Sequence, residues 1–198
     1  LVLLWKESRK EGLCVLLYHR LHPEKEPRRG SEALFSISAD RFEEHLDPLV
    51  DAGFTFLSPQ EVTHHLEHQQ PFPGKSVLVA FDDGCESIAT LAEPRMTRRG
   101  ISGIVFQTTS ENAFVFHLKG NPQPRCSPEQ IRKLIAKGWT WGVHSVNHTP
   151  PSSMTADELR DDFAQSMQWV EELVLLIQQL KQLIQVIFQE SLLKQQKI

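Results

Sequence analysis

Asp82 and Asp83 are adjacent carboxylates, followed by Gly84, at the end of the apolar run Ser76-Val77-Leu78-Val79-Ala80-Phe81. Like charges so close raise each other's pKa unless a cation compensates. Gly84 permits the sharp turn that brings both side chains to one place. Taken alone, Asp-Asp-Gly is more commonly a solvated turn, by about two to one. The second group is His144-Ser145-Val146-Asn147-His148. Imidazoles at i and i+4 can face one way on a helical turn and share a metal. Taken alone they are as readily two loop histidines after a strand. Together, one carboxylate and two imidazoles make a three-ligand set that leaves a place open for water. The joint occurrence is much more specific than either half.

The elements that must position these groups are well punctuated. Leu13-Cys14-Val15-Leu16-Leu17-Tyr18 reads as a buried strand, followed by a polar loop with Pro23, Pro27, Arg28, Arg29 and Gly30. A helix is predicted from about Asp40, with Phe42, Leu46, Leu49 and Val50 on one face and Gly53 as its stop. Phe54–Leu57 reads as a strand, and Ser58-Pro59-Gln60-Glu61 opens a helix as a capping box. The run Ser76–Phe81 is the clearest buried strand. A helical stretch broken or kinked at Pro94 leads to Gly100 and the strand Ile104-Val105-Phe106. Ser127-Pro128-Glu129-Gln130 starts a helix closed by Gly138, Trp139–Val143 is a strand running into His144, and Thr155–Glu158 is another capping box.

Strands alternating with helices argue for about five parallel βαβ units. Polar residues collect where strands end, at His19, Asp82, Asp83 and His144, which is where active sites of α/β barrels and open sheets lie. Beyond Trp169 the composition shifts. Residues 171–198 hold no Gly or Pro, and Leu173, Leu176, Leu180, Leu183 and Ile187 recur at helical spacing. This predicts one long amphipathic helix, able to bury its stripe on the domain or to pair with another helix through residues 171–193.

Composition narrows the function. The 198 residues suffice for one domain with a sizeable core, and 40% hydrophobic with 23% charged residues is ordinary for a globular protein. A net charge of −4 and a pI of about 6.1 leave no broad cationic surface for a phosphate backbone, so no nucleic-acid partner is expected. Cys14, Cys85 and Cys126 are odd in number and lack CxxC spacing, which disfavours a disulfide framework or a cysteine zinc knot. Leu1–Lys6 is too short for a secretory signal, no transmembrane segment is read, and the missing initiator Met suggests a fragment or processed form. His64, His65 and His68 share one predicted helix and read as a solvated face. His22, His45 and His117 have no evident partner.

Phe81-Asp82-Asp83-Gly84 followed by His144-Ser145-Val146-Asn147-His148 resembles the two leading motifs of the NodB-type polysaccharide deacetylases, carbohydrate esterase family four. Tyr18-His19-Arg20, Arg41–Leu46, Pro71–Lys75 and Ala136–Trp139 resemble it too, so the likeness spans roughly residues 13–168. The resemblance implies a distorted, incomplete (β/α) barrel over residues 1–168, with residues 169–198 as a Leu/Gln-rich amphipathic helix. It implies a divalent metal, usually zinc, on Asp83, His144 and His148. It makes Asp82 the general base and the backbone N–H of Cys85 an oxyanion donor. The family's usual Leu-x-His near the C-terminus is missing. The chain instead has Leu17-Tyr18-His19 on its first strand, resembling a branch with circularly permuted motif order, which implies His19 as general acid.

The reaction so implied is hydrolysis of an N-acetyl group on a glycan such as peptidoglycan, a chitin-like polymer or poly-N-acetylglucosamine. The later family motifs have no counterpart after His148, and Pro150-Pro151 is not followed by the expected Tyr. A metal-bound glycan-binding or interaction module without turnover is therefore the competing expectation, with another metallohydrolase chemistry a weaker third. The compartment is left open: the family is commonly extracytoplasmic or of the cell envelope, yet no export signal is read here.

Overall fold

The computed structural model describes residues 12–23, 35–110 and 124–173. The expected loop residues Pro27–Gly30, the N-terminal Leu1–Lys6, His117 and the helical positions from Leu176 onward lie outside the described residues.

At the centre is strand β5 (Ser76–Asp83), its first six residues all buried. Strand β1 (Leu13–Tyr18) runs parallel along one edge, in register from Leu13↔Ser76 to Tyr18↔Phe81. The other edge is shared. The short β4 (Thr55–Phe56) pairs with Ser76 and Val77, and β6 (Gly103–Gln107) takes over from Val79 to Asp83. Strand β7 (Thr140–Val143) then pairs in parallel with β6. The result is an open, all-parallel arc of five strands: the alternating pattern predicts its parallel βαβ units, and the family resemblance its incomplete barrel. Two strands too short to stand out by periodicity, β2 (Arg20–His22) and β3 (Ser36–Ser38), pair in parallel as a separate ribbon.

Local chemistry accounts for the helices. Helix α1 (Ala39–Asp51) starts where the Ser38 hydroxyl accepts the Arg41 N–H, and it buries Phe42 and Leu46. Helices α2 (Pro59–Glu67) and α4 (Pro128–Ala136) both open with complete capping boxes, Ser58 with Glu61 and Ser127 with Gln130, and each has Pro in its first turn. Where the sequence suggested a helix broken or kinked at Pro94, one helical stretch changes type beside it. Pro94 sits in the first turn of α3 (Glu93–Thr97), after a π-helical turn at Ile88–Ala92. A last helix, α5, covers residues 156–173 and runs through the expected domain boundary at 168/169 without interruption.

Phe42, Leu46, Phe81, Ile88, Met96, Val105, Ile131 and Trp139 fill the space between sheet and helices. Leu173 of α5 joins that core and Trp169 packs against it, so the start of the Leu-rich stripe is spent on the domain itself. Glu43 of α1 meets Arg95, Arg98 and Arg99, locking α1 against α3. His45, expected to lack a partner, has one: Tyr18 Oη lies 3.2 Å from its Nδ1. No helix of the described residues is long and apolar enough to cross a membrane.

Candidate active site

Parallel pairing puts the C-terminal ends of β1, β5, β6 and β7 on one rim. Asp82 and Asp83 end β5, and His144 follows β7 directly. His144 is tied to the sheet by its N–H, which donates to the Gln107 carbonyl at 2.8 Å. The loop beyond it is held by backbone bonds from Thr109 to Ser145 and from Ser110 to Val146. His148 returns toward His144 because Ser145 (φ +65°) and His148 (φ +60°) both adopt left-handed backbone, and the His148 N–H donates to Ser145 Oγ at 2.9 Å.

The outcome is a tight cluster. His144 Nε2 and His148 Nε2 stand 3.1 Å apart, and Asp83 Oδ1 is 3.6 Å from His148 Nε2 and 3.9 Å from His144 Nε2. One donor atom from each of the three residues falls within 4.8 Å of the others. Asp83 is 2% exposed, and its Oδ1 has no hydrogen-bond partner among the described residues. A buried carboxylate oxygen with no donor is costly in itself. Two imidazole nitrogens and this oxygen converging on one point are the donor types and number a divalent cation of the zinc class takes, so the residues fit such an ion.

Asp83 has φ +70° and Gly84 φ +72°. This pair of left-handed residues lets two consecutive carboxylates reach the rim. Gly84 is required for space as well as for angle. A Cβ there would lie 2.6 Å from Gln107 Cγ and 2.7 Å from its Oε1. Gln107 in turn accepts the Trp141 indole N–H at 3.1 Å, so it cannot retreat without breaking that bond.

Asp82 is partly exposed beside the cluster, its Oδ2 3.9 Å from His144 Nε2. Burial is the main force pushing its carboxyl above the ordinary range, and the charge of Asp83 adds to it; His144, His19 and His148 act against them. His19 follows the Tyr18↔Phe81 pair by one residue, which places it alongside Asp82. Its imidazole pKa is lowered by burial, while the charges of Asp83 and Asp82 favour its protonated form. The Phe35 ring meets it edge-on at 5.0 Å.

Cys85 sits just past Gly84 in an antiparallel bridge to Arg125. The bridge's two bonds run from Glu86 N–H to the Pro124 carbonyl and from Cys126 N–H to the Gly84 carbonyl, so neither uses the Cys85 N–H. Burial pushes the Cys85 thiol up to about 12, which leaves the side chain a neutral filler rather than a nucleophile.

Two residues of the site escaped sequence reasoning. One is Gln107, the buttress under Gly84. The other is Asp162 of α5, a buried carboxylate that accepts the Val146 N–H at 3.1 and 3.2 Å, midway between the two histidines. Thr155–Glu158 fixes where α5 begins, but nothing in the local pattern says that its second turn reaches back to this loop.

Comparison with known proteins agrees with the geometry. The family model described as Polysaccharide deacetylase matches residues 69–179. YxkH of Bacillus subtilis, assigned by inference to the polysaccharide deacetylases, is 23% identical over 163 residues, covering 82% of this chain and 53% of its own length. The chain thus spans about half the length of that curated relative. Among solved structures, IcaB from Ammonifex degensii is 28% identical with a TM-score of 0.65, over 83% of this chain and 70% of that one. The Streptococcus pyogenes deacetylase PplD, solved with acetate, shares the fold at a TM-score of 0.65 and 20% identity, over 81% of this chain and 68% of its own.

Proposed function

Because the chain belongs to the polysaccharide deacetylase family, we propose that it is a metal-dependent hydrolase that removes N-acetyl groups from an N-acetylated glycan. One observation carries the reading: the buried, donor-less Asp83 Oδ1 facing the Nε2 atoms of His144 and His148 at a strand-end rim. Asp83, His144 and His148 would hold the cation. When bound, a divalent ion of the zinc class supplies Lewis-acid polarisation of water and of the acetamide carbonyl.

The remaining work falls to the chain's own groups. Asp82, unattached to the proposed ligand set and partly open to solvent, takes the proton of the attacking water. Its raised pKa makes it a better base once ionised. The Cys85 N–H, left out of its own bridge, donates to the oxygen that gains charge when the carbonyl carbon becomes tetrahedral. His19 gives its proton to the departing amine, which an amide requires because an amine anion is a poor leaving group. Asp82 and Asp83 favour the imidazolium form of His19 against the burial that opposes it. The products are a free amino sugar and acetate.

Acetate release from a chitooligomer, measured beside zinc content, tests the proposal. Asp82→Asn is expected to abolish acetate release with zinc retained, and Asp83→Ala to lose the zinc. Unchanged metal content in Asp83→Ala would overturn the ligand assignment. The open sheet favours a second reading, a metal-bound glycan-binding module. Saccharide binding with acetate release no faster than the metal-free control would select it.

A further inference from the structure

We propose that His64 and His68 form a second cation site, a two-imidazole chelate on helix α2 for a divalent copper or nickel ion. The two residues are i and i+4 on one helix face, the spacing that sets side chains one above the other. Their rings stand 4.2 Å apart between centroids, tilted 33°.

The hydrogen bonding of His68 supplies a second, separate observation. Its Nδ1 lies 2.9 Å from the His64 backbone carbonyl. A carbonyl only accepts, so Nδ1 carries the hydrogen and the Nε2 lone pair points outward. A backbone carbonyl that fixes the tautomer and orientation of a ligating histidine is the usual support of a metal-bound imidazole. The pair also occupies the C-terminal end of α2, where the helix macrodipole favours positive charge.

His65 does not join them. Its ring is turned 81° from that of His64 and packs at 5.3 Å on Phe72. Two exposed imidazoles with water in the remaining positions suit tetragonal copper or nickel better than a closed tetrahedral zinc site, and copper and nickel head the affinity order of the common divalent ions. The site is separate from the Asp83 cluster. Helix α2 ends before β5 begins at Ser76, whereas the cluster stands at the opposite end of that strand.

Calorimetric titration of the full chain with Ni2+ tests this, in a His144→Ala/His148→Ala background that removes both imidazoles of the first cluster. That variant is expected to keep a one-equivalent isotherm. Adding His64→Ala or His68→Ala is expected to weaken it at least about tenfold, since a single imidazole replaces a chelating pair. Cu2+ at the same site is expected to show two nitrogen donors by electron paramagnetic resonance, and one after either substitution. If that double variant does not fold, the parent chain preloaded with one equivalent of Zn2+ serves the same comparison. Both histidines are exposed, and circular dichroism checks that α2 is retained. No Ni2+ isotherm in the background chain, or equal affinity with and without His64 and His68, would overturn the proposal.

Discussion

Burial separates three titratable residues on the rim. Asp83 is fully enclosed, while Asp82 beside it keeps contact with solvent and is free to exchange a proton. His19 stands apart from the cluster, in the one-residue gap between β1 and β2. Replacing it by Gln is expected to lower kcat by about 100- to 10,000-fold, the range of a lost general acid, with zinc content unchanged. A parallel loss of zinc would instead make it a ligand. Gly84→Ala is expected to destabilise the fold by about 1–3 kcal/mol, because it adds strain at φ +72° and drives a methyl into Gln107. The companion change Gln107→Ala should relieve the clash but not the backbone strain. Thermal unfolding of both chains separates the two costs. The cluster of Asp83, His144 and His148 was legible in the sequence because Asp-Asp-Gly and His-x3-His are local words. Gln107 was not, since its role exists only where β6 passes beneath the turn after β5.

At the scale of elements, the loop from His144 to His148 is held from two sides. Backbone bonds to β6 and the segment after it fix one side, and Asp162 of α5 fixes the other. Asp162→Ala leaves the Val146 N–H without its acceptor, at a cost of about 1–3 kcal/mol. Zinc affinity is expected to drop about 10- to 100-fold, as for other outer-shell supports. Asp162→Asn, which keeps an acceptor oxygen, should recover most of it, and competition with a chelating dye reads both. The capping boxes at Ser58, Ser127 and Thr155 could be read from four residues each, and the structure shows all three. The long strands β5 and β6 announced themselves by apolar runs. Strands β2 and β3 did not, because three residues carry no periodicity and their pairing is set by tertiary placement. Nor could the change from π to α winding beside Pro94 be read, since the π-helical turn has no distinctive composition.

For the whole molecule, Tyr18, Cys85 and Cys126 are each pushed up to about 12, chiefly by burial. The unfolded chain releases these protons near pH 8.5 for the thiols and near pH 10 for the phenol. Between those values and about pH 12 the folded form holds more protons than the unfolded form, so stability falls as pH rises. It is fully present below about pH 8.5. Melting temperatures measured at rising pH are expected to decline from there, and to decline less steeply in Cys126→Ala. A slope unaffected by removing that thiol would show that its burial is not what couples the fold to alkali.

The cluster joins parts of the chain that are distant in sequence: Asp83 ends β5, and His144 and His148 follow β7, with β6 lying between those strands in the sheet. A cation gripping all three would therefore act as a staple. It would close the long loop between residues 83 and 148 and withdraw conformational freedom from the unfolded chain much as a cross-link does. The chemistry at the rim and the cohesion of an unclosed sheet would then draw on the same ion.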